Sequence, residues 1–313
     1  MADARHDLVI IGAGPAGLSA SIYARRALLD TLVIEQGAFG GQISLTATID
    51  NYPGVEETSG AELSQRMQGQ AEGFGAQFAY DSVEAIERTD GGFVVRCTDA
   101  SYESTALVMA SGAVPRHAGF DGEERFAGHG VSYCATCDGM FYRGKRVFVV
   151  GGGNTACEEA LFLTRFASHV TLVVRKDHVR AAPSVARELE ENEKLDVRYL
   201  TSIVSVDGDV ALSSVAFRDN ATGETSVETF DEGGVGVFVF VGNIPSTQLL
   251  AGLVELAPDG SVITDEAMAT KTPGLFCAGD VRSKPLRQVV TAAADGAIAA
   301  VSASTYLGKA VES

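Results

Sequence analysis

Twice in this chain a short apolar run breaks off at a glycine-rich turn and resumes as a helical stretch and a second apolar run. The first copy reads Asp7-Leu-Val-Ile-Ile11, then Gly12-Ala-Gly14-Pro15-Ala16-Gly17, a helical stretch to about Leu28, and Thr31-Leu-Val-Ile-Glu35. The second reads Arg146-Val-Phe-Val-Val150, then Gly151-Gly-Gly153-Asn154-Thr155-Ala156, a helical stretch to about Ala167, and His169-Val-Thr-Leu-Val-Val174. Two neighbouring parallel strands must be joined by a crossover, usually a helix lying over the sheet. The glycines divide the work. In the first copy Gly12 permits the tight turn, Gly14 lets backbone approach a pyrophosphate, and Gly17 lets helix and strand pack closely. The start of the helix offers free N–H groups to an anion. The expected fold class is α/β, with two Rossmann-like nucleotide-binding domains.

The two copies differ where the second strand ends. Glu35 closes the first, at the spacing where a carboxylate accepts hydrogen bonds from a ribose diol. The second ends without an acid, and Val174 runs into Arg175, Lys176, Asp177 and, after two residues, Arg180. A carboxylate there would repel a 2′-phosphate, whereas cations bind one through charge-assisted hydrogen bonds. The first copy is expected to take a nucleotide with a free 2′-hydroxyl, the second NADPH. A solvated turn is the plainer account of the cations; their place at the ribose end of the fingerprint favours binding.

Gly112-Ala-Val-Pro115 and Gly242-Asn-Ile-Pro245 bracket the second copy and read as linkers. After them come the apolar run Leu275-Phe-Cys-Ala-Gly-Asp280 and an alanine-rich helix from about Gln288 to Leu307. The second domain is therefore expected to be inserted into the first, with residues 1–113 and 245–313 forming one domain and 114–244 the other. A length of 313 residues suits two domains. The net charge of −17 argues against nucleic acid as a partner. No apolar run approaches the roughly 20 residues that would span a membrane. The segment Met1 to Asp7 lacks the layout of a signal peptide, so the expected location is the cytoplasm.

Of five cysteines, only Cys134 and Cys137 form a motif, Cys134-Ala-Thr-Cys137-Asp138; Cys97, Cys157 and Cys277 lie in apolar contexts that suit packing. Two thiols at this spacing can close a small disulfide and exchange electrons with a partner dithiol. Half a zinc site is the competing account, but zinc needs further ligands, and the five histidines are scattered with no second Cys pair. No metal is expected. A flavin can reduce such a disulfide and NADPH can reload the flavin. Asp138 is the only local acid able to protonate a leaving thiol, with a helix cap or turn as its plainer role.

These motifs together make the chain similar, from Val9 to about Leu307, to the low-molecular-weight thioredoxin reductases. The resemblance rests on Gly12 to Gly17, Gly40-Gly41-Gln42, Asn51-Tyr-Pro-Gly54, Cys134 to Gly139, Gly151 to Ala156, Gly279-Asp280 and Arg287-Gln288, with Ala110-Ser-Gly112 closing a strand of the first domain. It implies FAD and NADPH as cofactors, thioredoxin or a thioredoxin-like protein as partner, and a homodimer. It implies that Gly40, Gly41, Gln42 and Asn51 line the flavin side and that Asp280 binds the ribityl chain. Arg287 and Gln288 would hold the ring and phosphates, Cys137 would face the flavin, and Cys134 would attack the partner. Four places depart from the family pattern: Val174-Arg175-Lys176 stands for His-Arg-Arg, Met140 precedes Phe141 and Tyr142 where two aromatics are usual, His129 replaces an arginine, and Ala110-Ser-Gly112 is a mild change from Ala-Thr-Gly. A dithiol oxidase, a ferredoxin-fed reductase and a non-enzymatic flavin module are the alternatives; the cations after Val174 argue for NADPH.

Overall fold

The computed structural model describes residues 4–46, 49 and 51–309. Its contacts divide the chain into two compact units, residues 1–114 with 244–313 and residues 115–243.

The first unit opens with β1 (Ala4–Ile11), α1 (Pro15–Arg26) and β2 (Thr31–Glu35). It continues through α2 (Gly60–Gly73), β3 (Gln77–Tyr80), β4 (Val83–Thr89), β5 (Gly92–Cys97), β6 (Ser101–Met109) and β7 (Ala113–Pro115). β3, β2, β1 and β6 lie side by side and parallel, and β5 and β4 follow antiparallel. Leu8, Val9 and Ile10 are wholly buried, because a central parallel strand is covered on both faces. That is why β1 reads as an unbroken apolar run rather than an alternating one. α1 stops at Arg26, short of the expected end. Leu28 adopts a left-handed φ of 59° there, and Leu29 N–H closes on Ala24 O.

The second unit holds β8 (Val131–Ser132), α3 (Ala135–Asp138), β9 (Arg146–Val150), α4 (Asn154–Leu163), β10 (His169–Val173), α5 (Pro183–Glu191) and β11 (Leu195–Arg198). Then come β12 (Thr201–Gly208), β13 (Leu212–Asp219), β14 (Thr225–Thr229) and β15 (Val235–Val239). β11-β10-β9-β15-β8 form a parallel sheet, while β12-β13-β14 form a separate antiparallel one. α4 ends at Leu163 rather than near Ala167; the Thr164 hydroxyl bonds back to Leu161 O and the chain turns.

The chain returns to the first unit through β16 (Asn243–Pro245), which pairs with β7 as a two-stranded ribbon. β17 (Leu275–Cys277) then lies beside Leu107–Met109 of β6, and β5 takes the same strand's earlier residues Ser101–Ser104. α6 (Val289–Tyr306) packs against α1 so closely that a methyl group on Gly296 would lie 2.0 Å from Ala16 O. Small residues on both helices allow this approach, and Ser19 Oγ donates to Ala293 O at 2.7 Å. The α/β class with Rossmann-like domains is as expected. Among the described residues no helix is long and apolar enough to cross a membrane.

Candidate nucleotide-binding and redox sites

At the first glycine turn, two glycines are demanded by the protein itself. A methyl group on Gly12, whose φ is +101°, would lie 2.5 Å from Ala110 O, and one on Gly17 would lie 1.8 Å from Gly12 O. Gly14 is different. Its backbone is extended, and the nearest atom to a methyl group there would be Gly40 O at 3.8 Å. Protein packing thus leaves open space where backbone would meet a ligand. Pro15 begins α1 and no side chain caps it, so the first-turn N–H groups are free for an anion.

The loop after β2 closes onto this turn. Glu35 Oε2 accepts from Ala13 N at 2.7 Å, its Oε1 accepts from Gly37 N at 2.8 Å, and Gly40 N donates to Ala13 O at 2.8 Å. A methyl group on Gly41 would lie 3.5 Å from Gly14 Cα. Gln42 follows, exposed, in the short helical turn Gly41–Leu45. Gly112 follows the segment that packs on Gly12, and its carbonyl accepts from Ser246 N at 3.0 Å.

The C-terminal segment brings the remaining expected residues. A methyl group on Gly279 would lie 2.8 Å from the Ala16 side chain, so the Gly279–Asp280 turn sits against the start of α1. Asp280 Oδ1 is buried without a hydrogen bond, and so is Arg287 Nε. Buried polar atoms are nearly always paired; of the three orphans among the described residues, Ser104 Oγ lies on β6, while Asp280 Oδ1 and Arg287 Nε fall on the C-terminal segment and are candidate places for ligand atoms. Burial pushes the Asp280 carboxyl upward, and the Lys284 ammonium works against it. Arg287 also pairs with Asp259 at 3.4 Å. Gln288 caps α6 reciprocally with Thr291, and its Oε1 accepts from Asn51 Nδ2 at 3.1 Å.

The second unit repeats the first turn's logic. A methyl group on Gly151 would lie 2.4 Å from Phe240 O and 2.6 Å from the Ala156 side chain, whereas one on Gly153 would meet nothing within 4 Å. α4 again starts without a side-chain cap, with Asn154 and Thr155 exposed in its first turn. Arg180 N donates to Gly152 O at 2.6 Å and Ala182 N donates to Asn154 Oδ1 at 3.1 Å, which pulls the segment after β10 back against the glycines. The side chains of Arg175, Lys176 and Arg180 are exposed, and among the described residues none of them forms a salt bridge. One turn into α4, Glu159 is pushed up to about 7 by burial and by neighbouring Glu158. Nothing in the residue spacing had marked it.

Cys134 is half-buried and disulfide-bonded. Cys137 lies on α3; its side chain falls outside the described residues. Cys97, Cys157 and Cys277 are buried free thiols, pushed up by burial to about 11, 11 and 12, which keeps them protonated and unreactive. Asp138 caps no helix. Instead its Oδ2 accepts from Ser132 Oγ at 2.6 Å, and Ser132 Oγ accepts from Cys134 N at 3.1 Å. Ser132 thereby ties the acid to the backbone of the cysteine, a link six residues long that the motif did not announce. Buried Glu123 accepts from the Tyr133 hydroxyl at 2.8 Å and from Ala118 N and Gly119 N, anchoring the same segment. Beyond the motif Met140 and Phe141 are exposed, while Tyr142 turns inward onto Phe238. Among the described residues no group of three or more His, Cys, Asp or Glu is placed to hold a metal ion.

A strand–glycine turn–helix site in each unit, with a redox cysteine in the second, defines a nucleotide-dependent disulfide oxidoreductase. The chain belongs to the pyridine nucleotide-disulphide oxidoreductases, whose family model matches residues 6–296. Its relatives narrow this to the thioredoxin reductase branch, in line with the resemblance seen in the sequence. A thioredoxin reductase of Peptoclostridium acidaminophilum is 45% identical over 306 residues, covering 96% of this chain and 97% of its own length. That of Bacillus subtilis is 41% identical over 303 residues, covering 96% and 95%. The crystal structure of Lactococcus lactis thioredoxin reductase, in its FR conformation, superposes with a TM-score of 0.86 at 39% identity and covers 97% of this chain and 99% of that one.

Proposed function

We propose that the protein is a thioredoxin-disulfide reductase that uses NADPH and FAD. The observation that carries this is the pair of glycines, Gly14 and Gly153, that the protein's own packing does not require, in a chain whose Cys134 is disulfide-bonded. The first unit is read as the FAD domain. Gly12, Gly14, Pro15, Ala16 and Gly17 cradle the pyrophosphate and Glu35 takes the ribose. Gly40, Gly41, Gln42, Asn51, Gly112, Gly279, Asp280, Arg287 and Gln288 line the rest. The orphan atoms on Asp280 and Arg287 suit the hydroxyls and polar ring edge of that group. The second unit is read as the NADPH domain, with Gly151, Gly153, Asn154, Thr155 and Ala156 at the pyrophosphate and Arg175, Lys176 and Arg180 at the 2′-phosphate. The exposed, unpaired state of those cations supports NADPH over ferredoxin as the electron source.

Bound FAD supplies a two-electron relay between NADPH and the disulfide. The residues do the exchange. Once Cys134 and Cys137 are reduced, the Cys134 thiolate attacks one sulfur of the partner's disulfide and the other leaves as a thiol. Cys137 then attacks Cys134 Sγ, releasing the partner as a dithiol and restoring the pair. Asp138, held by Ser132, carries the proton that a leaving thiolate needs. Per turnover, NADPH, one proton and one disulfide become NADP⁺ and a dithiol. We place the enzyme in the cytoplasm as a homodimer, following the family resemblance. Steady-state NADPH oxidation with thioredoxin as acceptor tests the reading. Turnover is expected to require thioredoxin and to be much slower with NADH. Consumption of oxygen at the same rate without thioredoxin would instead make the protein an oxidase.

A further inference from the structure

α6 is rich in alanine and its only charged residue, Asp295, lies on the buried face. Its side chain is 9% exposed. Oδ2 accepts from Lys284 Nζ at 3.0 Å and from Gly279 N at 3.1 Å, and Oδ1 accepts from Arg282 Nη1 at 3.2 Å. Lys284, 4% exposed, also donates to Thr291 Oγ1 at 3.3 Å and stands 3.5 Å from Asp280 Oδ1. Two buried cations thus face two carboxylates, and the charges balance.

Stability does not account for this arrangement. Desolvating each ion costs several kcal/mol, and well-packed apolar residues in place of a buried ion pair are often as stable or more so. The network instead fixes one turn. Asp295 holds the Gly279 amide directly, and Gly279 carries Asp280 at a left-handed φ of 79° against the start of α1. Lys284 Nζ donates to Asp295 and Thr291 and stands 3.5 Å from Asp280 Oδ1, an ion pair longer than either of those hydrogen bonds. Asp280 therefore keeps a fixed position and an oxygen still able to accept from a ligand hydroxyl.

We propose that Asp295, acting through Lys284 and the Gly279 amide, is a positioning residue for FAD that presents Asp280 to the cofactor's hydroxyls. This rests on reading the first unit as the FAD domain. The test measures FAD affinity by the fluorescence of released flavin and, separately, the thermal midpoint of the apoprotein. Asp295→Asn keeps the shape but leaves Lys284 and Arg282 undercompensated; its FAD dissociation constant is expected to rise at least tenfold. The double variant Arg282→Met/Asp295→Leu removes one charge of each sign and leaves Lys284 paired with Asp280. It is expected to recover the apoprotein's thermal midpoint while FAD affinity stays at least tenfold weakened, a split that a purely structural role would not give. Affinity within twofold of wild type in the double variant overturns the proposal while leaving the FAD reading intact. A wild-type protein that binds no FAD overturns both.

Discussion

Serine in place of Cys134 is expected to abolish NADPH-driven reduction of thioredoxin while leaving FAD bound. A serine hydroxyl is not ionised at neutral pH, so it cannot attack a disulfide sulfur as a thiolate does. Cys134 lies in the second unit, whose residues 115–243 include none of the expected FAD ligands, so the flavin content of the purified variant should match wild type. Cys137→Ser is expected to give the same loss, because a mixed disulfide at Cys134 would then have no thiol to resolve it. The three buried thiols, all pushed well above neutrality, offer no substitute. Flavin content from the visible spectrum and NADPH consumption with thioredoxin make the check. Thioredoxin turnover surviving in either variant would remove this pair from the mechanism.

The second large effect concerns the choice of nicotinamide nucleotide. Removing Arg175 and Arg180 together is expected to raise the Michaelis constant for NADPH and barely move that for NADH. A hydrogen bond to a charged group contributes about 1.5–3 kcal/mol, so losing two should reduce the preference on the order of a hundredfold or more. Both side chains are exposed, and the Arg180 backbone already bonds to the glycine turn through Gly152 O. That places a cation beside the fingerprint without spending its charge on a neighbouring carboxylate. Lys176 stays in the double variant as a point charge without the planar fork of arginine, so some preference should remain. Paired kinetics with the two nucleotides decide the matter; unchanged discrimination would make the turn a solvated loop.

Much of the fold could be read in advance because its informative parts are local. β1 and β2 are covered on both faces, so they appear as continuous apolar runs, and the turn between β1 and α1 needs glycine for steric reasons confined to a few residues. The start of α6 at Gln288 was visible in the same way. What stayed hidden joins distant parts of the chain. The strands β12 to β14 mix buried, half-buried and exposed positions without strict alternation. Asp295 looks like an interruption of an alanine helix until Lys284, Arg282 and Gly279 are seen around it. Ser132 and Glu123 have ordinary surroundings in sequence, and only the folded chain shows one holding Asp138 and the other holding Tyr133. Asp138 was expected either to act as an acid or to cap a helix; the Ser132 hydrogen bond replaces the cap.

The split of the first unit has a consequence for the order in which the protein is made. The second unit is one unbroken stretch, complete once Asn243 has been synthesised. The first cannot close then, because β17 and α6 come from the last 70 residues, 244–313. Until they emerge from the ribosome, the Leu107–Met109 edge of β6 and the small-residue face of α1 remain uncovered. Domains generally fold as units during synthesis, so the inserted one should fold ahead of the domain whose chain began first. A chain truncated after Asn243 should leave a protease-resistant fragment of about residues 115–243 while residues 1–114 are digested; resistance of the N-terminal part would refute this. On the proposed role of Gly279, Asp280, Arg287 and Gln288 in holding FAD, all of them in the late segment, flavin loading is expected to follow their synthesis, and a nascent chain stalled before them is expected to carry no flavin colour.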